Sequence, residues 1–204
     1  KPSFKQIWGK VSYESNAHGI RSDEEHAHEP SQGMIRISAY GDSYTHGDNS
    51  SFENTWAEQL ENMNQNLEVL NFGVPAYSLE QSLLRYAQMK SQFKSHVVLI
   101  GFMSENISRS LNVFRPFYAK KGYLPFTKPR ADFKDGALII RPNPFQSLED
   151  YKKILEGPKT FVPILSKNDL IYQTSYFEGP LDFAATIRLM KIARNEWFQK
   201  KSED

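Results

Sequence analysis

The sequence contains no cysteine, so disulfide bonds, thiolate metal sites and thiol nucleophiles are all excluded. Any nucleophile must therefore be an oxygen or an amine. The chain also lacks a long apolar run: the longest, residues 97–102, is far short of the roughly 20 residues that a membrane-spanning helix needs. The amino end has no secretory apolar segment, but the chain begins at Lys1, so a cytoplasmic location and export after loss of a leader both stay open.

An excess of charge of one sign is absent as well. The 25 Lys and Arg residues face 24 Asp and Glu residues, giving a formal charge of +1. No overall field therefore favours a nucleic acid or an anionic membrane, and neither is expected as a partner. The phosphate-binding patterns G-x-x-x-x-G-K-[ST] and G-x-G-x-x-G do not occur, which argues against a phosphate-binding doubly wound domain. Composition leaves the oligomeric state open.

The first half of the chain alternates between strand and helix patterns. Short apolar, β-branched runs indicate strands, and Thr55 and Ser78 open capping patterns that indicate helices. The predicted strands are 35–40, 67–72 and 97–100, with helices to about residues 64 and 93 between them. This spacing is typical of a parallel α/β layer structure. Because the third strand is apolar on both faces, we expect helices to cover it on each side.

The other segments predict fewer elements. A polar amino-terminal segment, 1–33, contains one short strand at 11–15, and helices are predicted at 147–155 and 183–200. Segment 112–144 is rich in aromatic and basic residues, and Asp135-Gly136 within it indicates a hairpin. We interpret this segment as an insertion in a single domain of residues 1–204. It either binds a saccharide or a nucleic acid strand by stacking, or packs on the domain with its charges in water.

Each predicted strand ends in a distinctive segment: Gly-Asp-Ser-Tyr-Thr-His-Gly at 41–47, Asn-Phe-Gly-Val-Pro at 71–75 and Gly-Phe-Met-Ser-Glu-Asn at 101–106. Ligands of such sheets bind at the carboxyl ends of the strands. Ser43 would lie there, on a loop leaving the first strand, and its hydroxyl is either a nucleophile or only part of a turn. Acyl transfer through a serine creates an oxyanion that needs N–H donors, which a glycine amide and an asparagine side chain on the neighbouring strand ends can supply.

These three segments resemble the first three blocks of the SGNH (GDSL) hydrolase family, whose blocks centre on Ser, Gly, Asn and His. The resemblance covers about residues 35–110 and implies a three-layer, flavodoxin-like α/β fold. It also implies that Ser43 is the nucleophile, that its own amide and that of Gly73 are oxyanion donors, and that Asn106 is the third donor. No metal or organic cofactor is expected. The segment is not the G-x-S-x-G elbow of α/β-hydrolases, because Thr45 occupies the second glycine position.

Two departures from the family pattern stand out. The third block normally reads Asn-Asp, whereas this chain has Glu105-Asn106; an ionised carboxylate cannot donate, so we take Asn106 as the donor, with a helix N-cap as its alternative role. The family's base is the histidine of an Asp-x-x-His pattern near the carboxyl end, but the last histidine here is His96. We therefore expect a chain truncated at its carboxyl end, with the catalytic histidine outside it.

Three further histidines, His26, His28 and His46, have two interpretations each. His46 follows Ser43 by three residues, and lining a pocket is favoured over acting as the base. His26 and His28 stand among carboxylates in a charged segment, and a solvated surface is favoured over a metal site.

The function expected from these residues is a serine-dependent hydrolase acting on ester bonds, either an esterase or deacetylase or an O-acyltransferase. Its substrate would be a small-molecule or carbohydrate ester. The alternative is a non-catalytic SGNH-like binding module for carbohydrate or peptide.

Overall fold

The computed structural model describes residues 3–8, 11–119 and 125–175, together with 186–187, 189–190 and 193. The chain forms two compact units, Lys1–Ser110 and Leu111–Asp204. The first unit contains, in chain order, β1 Phe4–Trp8, β2 Val11–Ser15, β3 Ile35–Tyr40, α1 Ser43–His46, α2 Trp56–Met63, β4 Leu67–Asn71, α3 Leu79–Met89, β5 Val97–Ile100 and most of α4 Glu105–Leu111.

The first unit is built on a small parallel sheet with strand order β4-β3-β5. Ile35 on β3 pairs with Leu67 on β4, and Ile37 pairs with Val97 on β5. Helices flank this sheet, and β1 and β2 form a separate antiparallel hairpin. The predicted α/β class with a parallel sheet is confirmed at this level, and all three predicted strands are present.

Local sequence explains why α2 and α3 begin where they do. Thr55 caps α2 by accepting from the backbone N–H of Glu58, and Ser78 and Gln81 form a capping box at the start of α3. Such caps satisfy first-turn amides that have no partner within the helix. The two predicted helix starts are therefore confirmed, although α3 ends at Met89 rather than near residue 93.

An aromatic core fixes α3 against the sheet. The rings of Tyr40 and Phe72 stack with centroids 4.8 Å apart, and Phe93 packs beside Phe72 at 5.8 Å. Leu70 is completely buried in the same cluster. This core orders the carboxyl ends of β3 and β4, from which the candidate site is built.

The prediction that helices cover both faces of the third strand is wrong. Strand β5 lies at an edge of the sheet, and its four apolar side chains are each 37–42% exposed. The central position belongs to β3, whose last three residues are buried. An apolar run predicts a strand, but which elements cover it depends on neighbours that are distant in sequence.

The polar amino-terminal segment is held to the sheet by a buried network. Arg36, 1% exposed, donates through Nε to Glu68 Oε2 at 2.7 Å and through Nη1 to the carbonyl of His28 at 2.9 Å. His26 Nδ1 lies 3.1 Å from Glu68 Oε1, and its Nε2 lies 3.1 Å from Ser22 Oγ. The favoured interpretation of His26 as a solvated surface residue is therefore wrong, because it bridges this segment to β4.

Glu58 on α2 gives folding a pH dependence. Burial raises its pKa from 4.5 to about 7, and the negative charges of Glu61, Asp23 and Glu24 add to this. The folded protein therefore binds the proton more tightly than the unfolded chain, so the free energy of unfolding should fall as pH rises from 4.5 to about 7. Glu58→Gln should flatten that decline, as measured by urea denaturation at both ends of the interval. An unchanged slope would contradict the assignment, and exposed Glu53→Gln is the control.

The second unit contains α5 Arg115–Tyr118, β6 Arg130–Lys134, β7 Ala137–Arg141, α6 Leu148–Leu155, α7 Pro158–Leu165 and α8 Leu170–Ser175. Asp135 and Gly136 both have positive φ, 52° and 77°, and join β6 to β7 in the predicted hairpin. The predicted helix 147–155 is present as α6, and Ser147 caps it.

Asp169 organises the interior of this second unit. It is completely buried, and its Oδ2 accepts from the backbone N–H groups of Val113 and Phe114 at 2.7 and 3.0 Å. Phe114, Phe145 and Leu165 form the adjacent apolar cluster. The described residues of segment 112–144 thus belong to the second unit. The predicted helix 183–200 lies almost wholly outside the described residues, and none of the described helices is long and apolar enough to cross a membrane.

Candidate active site

The ends of the three parallel strands converge on the short helix α1. A Cβ at Gly73, after β4, would lie 2.5 Å from the backbone nitrogen of His46. A Cβ at Gly41, after β3, or at Gly101, after β5, would collide with Oγ1 of Thr45. Glycine at these positions is what lets α1 lie directly on the carboxyl edge of the sheet. The three segments singled out in the sequence are therefore brought together.

Ser43 is the first residue of α1 rather than part of a loop. Its N-cap, Asp42, accepts from the backbone N–H of Tyr44 at 3.0 Å, and Gly47 closes the helix in the left-handed conformation with φ 76°. Ser43 is partly exposed, and its hydroxyl has no hydrogen bond to any residue that the structure describes. An available hydroxyl at the ligand edge of the sheet is what a nucleophile requires, but no described residue activates it.

Asp42 joins α1 to α4 through a buried network. Asn106, 2% exposed, donates through Nδ2 to Asp42 Oδ2 at 3.1 Å and to the carbonyl of Tyr77 at 3.1 Å. Arg109 donates through Nη1 to the same Asp42 oxygen at 3.2 Å and through Nη2 to Glu105 at 2.8 Å. The Asn106 side chain is thus next to the residue that precedes Ser43, but both of its donor protons are used inside the protein.

Asn106 also has a structural role, although not as the helix N-cap that was its expected alternative, because it lies within α4. Its Oδ1 accepts from the backbone N–H of Met103 at 2.7 Å, which fixes the turn between β5 and α4. Glu105, the residue that a strict alignment would put at the donor position, pairs with Arg109 one helical turn away.

The amide of Gly73 is occupied too. It donates to Oδ1 of Asn71 at 3.0 Å, and Nδ2 of Asn71 donates to the carbonyl of Thr45 at 2.8 Å. Asn71 is 1% exposed, so one buried carboxamide links the end of β4 to the middle of α1. For Gly73 to bind an oxyanion, its N–H would have to leave Asn71 or be shared with it.

The ring nitrogens of His46 are close to Asp48 and Arg21 rather than to the Ser43 hydroxyl. The Nδ1 atom lies 2.8 Å from Asp48 Oδ1, and Arg21 Nη1 lies 3.2 Å from Nδ1 and 3.4 Å from Nε2. Because a guanidinium can only donate, a ring nitrogen of His46 accepts from Arg21 within the protein. The ring also stacks on Tyr13, with centroids 6.1 Å apart. His46 lines a cavity, the role favoured from the sequence.

Two cavities lie beside α1. One, of about 560 Å³, is lined by Asp42, Tyr44 and Thr45 together with Trp56 and the end of β5. The other, of about 290 Å³, is lined by the β1–β2 hairpin, Arg21, His46, Asp48 and residues 73–75. Burial lowers the pKa of Arg21, although the negative charge of Asp48 works in the opposite direction.

Sequence reasoning missed three residues that shape the site. Arg109 is buried and paired with Asp42, and its spacing of four residues from Glu105 was the available signal. Nothing in the pattern marked Arg21 or Asp48, since their partners are distant in sequence. Among the residues that the structure describes, no group of three His, Cys, Asp or Glu side chains could hold a metal ion.

Comparison with known proteins adds no relative. No protein-family model matches this chain, and no curated protein matches it either.

Proposed function

We propose that this chain carries the nucleophile of a serine-dependent hydrolase that acts on ester bonds, an esterase or deacetylase or an O-acyltransferase of the SGNH type. The observation that supports this most directly is the position of Ser43. Its partly exposed hydroxyl lies at the start of α1, on the edge of the sheet where the segments after β3, β4 and β5 meet. The strand order β4-β3-β5 with a helix on the central strand end is compatible with a larger flavodoxin-like sheet.

In the proposed reaction the Ser43 oxygen attacks the ester carbonyl, and its proton passes to a base. The carbonyl oxygen becomes an oxyanion, which the amides of Ser43 and Gly73 and the Asn106 side chain would hold. Collapse of this intermediate breaks the ester C–O bond and releases the alcohol, which takes the proton back from the base, and the acyl group then moves from Ser43 to water or to a second alcohol. None of the described histidines is hydrogen-bonded to the Ser43 hydroxyl, so the proposal requires a base from elsewhere.

The rival proposal is a binding module without catalysis, specific for carbohydrate or peptide. The observation in its favour is that Gly73 N–H and both Asn106 protons already have partners within the protein. Donors that must first give up these bonds are not preorganised, and preorganisation is the source of oxyanion stabilisation.

Fluorophosphonate labelling in the presence of added imidazole tests the proposal, because the reagent phosphonylates a serine whose proton is taken by a base and no described residue supplies that base. We expect the label on Ser43, located by peptide mapping, and none in Ser43→Ala. Ser104→Ala is the matched control, since Ser104 is an exposed serine in the turn between β5 and α4. Absence of labelling in a folded protein, or label on another serine, would favour the binding module.

A further inference from the structure

The cavity of about 290 Å³ near His46 has a floor made by the β1–β2 hairpin. Phe4 pairs with Ser15 across this hairpin, and Gln6 pairs with Tyr13. Alternate residues of a strand share a face, so these four side chains belong to the face that lines the cavity. A volume near 300 Å³ is at the small end for ligand sites, which fits one small ring rather than an extended molecule.

The charges that line this cavity are balanced within the protein. Glu14 is paired with Lys5 at 2.6 Å, and the positive charge of Arg21 interacts with the negative charge of Asp48. Binding a charged group in a partly enclosed site is costly unless an opposite charge is available to it. With no charge left over, the cavity suits an uncharged ligand.

Hydrogen-bonding capacity nevertheless remains. Arg21 is 3% exposed, and its Nε has no hydrogen-bond partner among the residues that the structure describes. The Tyr13 hydroxyl accepts from the Asn49 amide at 3.1 Å, which leaves its own proton to donate. Gln6 is exposed and contributes a carboxamide with both donor and acceptor capacity. Such a mixture of neutral donors and acceptors complements a ring that carries several hydroxyl groups.

Apolar surface completes the cavity. The Phe4 ring and the side chains of Val74 and Pro75 line it, and aromatic and aliphatic walls pack against the C–H faces of a ring while its polar edge is bound by the other groups. Gly73 is also part of the wall, and Gly73 contacts the backbone of α1. The cavity therefore reaches the edge of the candidate active site.

We infer that this cavity binds a single uncharged monosaccharide unit, held by Gln6, Tyr13 and Arg21. Resting on the proposed function, the inference further assigns this sugar as the group that carries the ester presented to Ser43. Binding itself needs neither the nucleophile nor a base.

Amide chemical shifts of the full chain test the inference by NMR titration. The probes are methyl β-D-glucopyranoside and methyl 2-acetamido-2-deoxy-β-D-glucopyranoside, with sodium acetate and sodium phosphate as anionic probes. At least one glycoside is expected to shift the amides of Gly73 and Tyr13, in the wild type and in Ser43→Ala alike. Glycoside binding without Ser43 labelling would support the sugar site and refute the proposed esterase.

Gln6→Ala supplies the residue-level test. Loss of one neutral hydrogen bond should weaken glycoside binding by about 2- to 10-fold. Ile7→Ala is the matched control, because Ile7 is the next residue of β1, is 70% exposed and is not part of the cavity wall; it should leave affinity unchanged. The inference is overturned if neither glycoside shifts these amides, if only the anions do, or if Gln6→Ala binds as tightly as wild type.

Discussion

Replacement of Ser43 with alanine is expected to lower the turnover of p-nitrophenyl acetate by about 10⁶-fold in a form of the protein that hydrolyses this ester. The size follows from removal of a triad nucleophile, after which only binding and oxyanion contacts remain. Alanine keeps the α1 backbone, and the N-cap belongs to Asp42, so the fold should survive the change. Steady-state kinetics and a circular dichroism spectrum of both proteins make the comparison.

Imidazole separates a missing base from an idle serine. Because no described residue is hydrogen-bonded to the Ser43 hydroxyl, added imidazole should accelerate formation of an acetyl-Ser43 adduct, which peptide mapping detects. The acceleration should be lost in Ser43→Ala and kept in Ser104→Ala. Retained turnover in Ser43→Ala would show that Ser43 is not the nucleophile.

Arg109→Met should destabilise the first unit by about 3–5 kcal/mol, the usual cost of leaving one member of a buried ion pair without its partner. Arg109 and Asp42 have side chains only 7% and 4% exposed, and Nη1 lies 3.2 Å from Oδ2. Asp42 is also the N-cap of α1, so the loss should loosen the Ser43 turn. Urea denaturation of the variant and wild type measures the effect.

The double variant shows whether this loss comes from the stranded charge. Asp42→Asn combined with Arg109→Met removes both charges, so it should be more stable than the sum of the single effects predicts. Lys94→Met is the control. The side chains of Lys94 and Glu29 are 68% and 63% exposed, so loss of this ion pair should cost less than about 1 kcal/mol. Strict additivity of the two changes would contradict the coupling.

The elements with strong local signals were predictable. β3 and β5 were placed at their observed bounds, and the caps Thr55 and Ser78 marked helix starts, because strand patterns and caps depend on a few adjacent residues. α1 was not foreseen, since four residues are too few to show helical periodicity. β1 escaped because its partner, β2, was taken as a lone strand within a polar segment.

The candidate site was predicted as a location but not as a set of bonds. Parallel strands bring their carboxyl ends to one edge, so the convergence of the segments carrying Ser43, Gly73 and Asn106 followed from topology. What those groups contact did not follow. The Gly73 amide donates to the Asn71 side chain, and the Asn106 side chain donates to the Tyr77 carbonyl. Both hydrogen bonds depend on backbone positions that only the folded chain defines.

The close packing of α1 on the strand ends decides which substitutions the three glycines tolerate. At Gly73 any side chain meets backbone atoms of His46, which no neighbouring substitution can relieve, whereas at Gly41 and Gly101 the obstacle is the Thr45 side chain, which a smaller residue would remove. Selection for protein abundance alone would thus reject every residue but glycine at position 73. If position 73 is always glycine among variants, that shows only that the fold requires it. Variants at positions 41 and 101 that also change Thr45 would show whether those glycines are needed for packing alone or for the reaction as well.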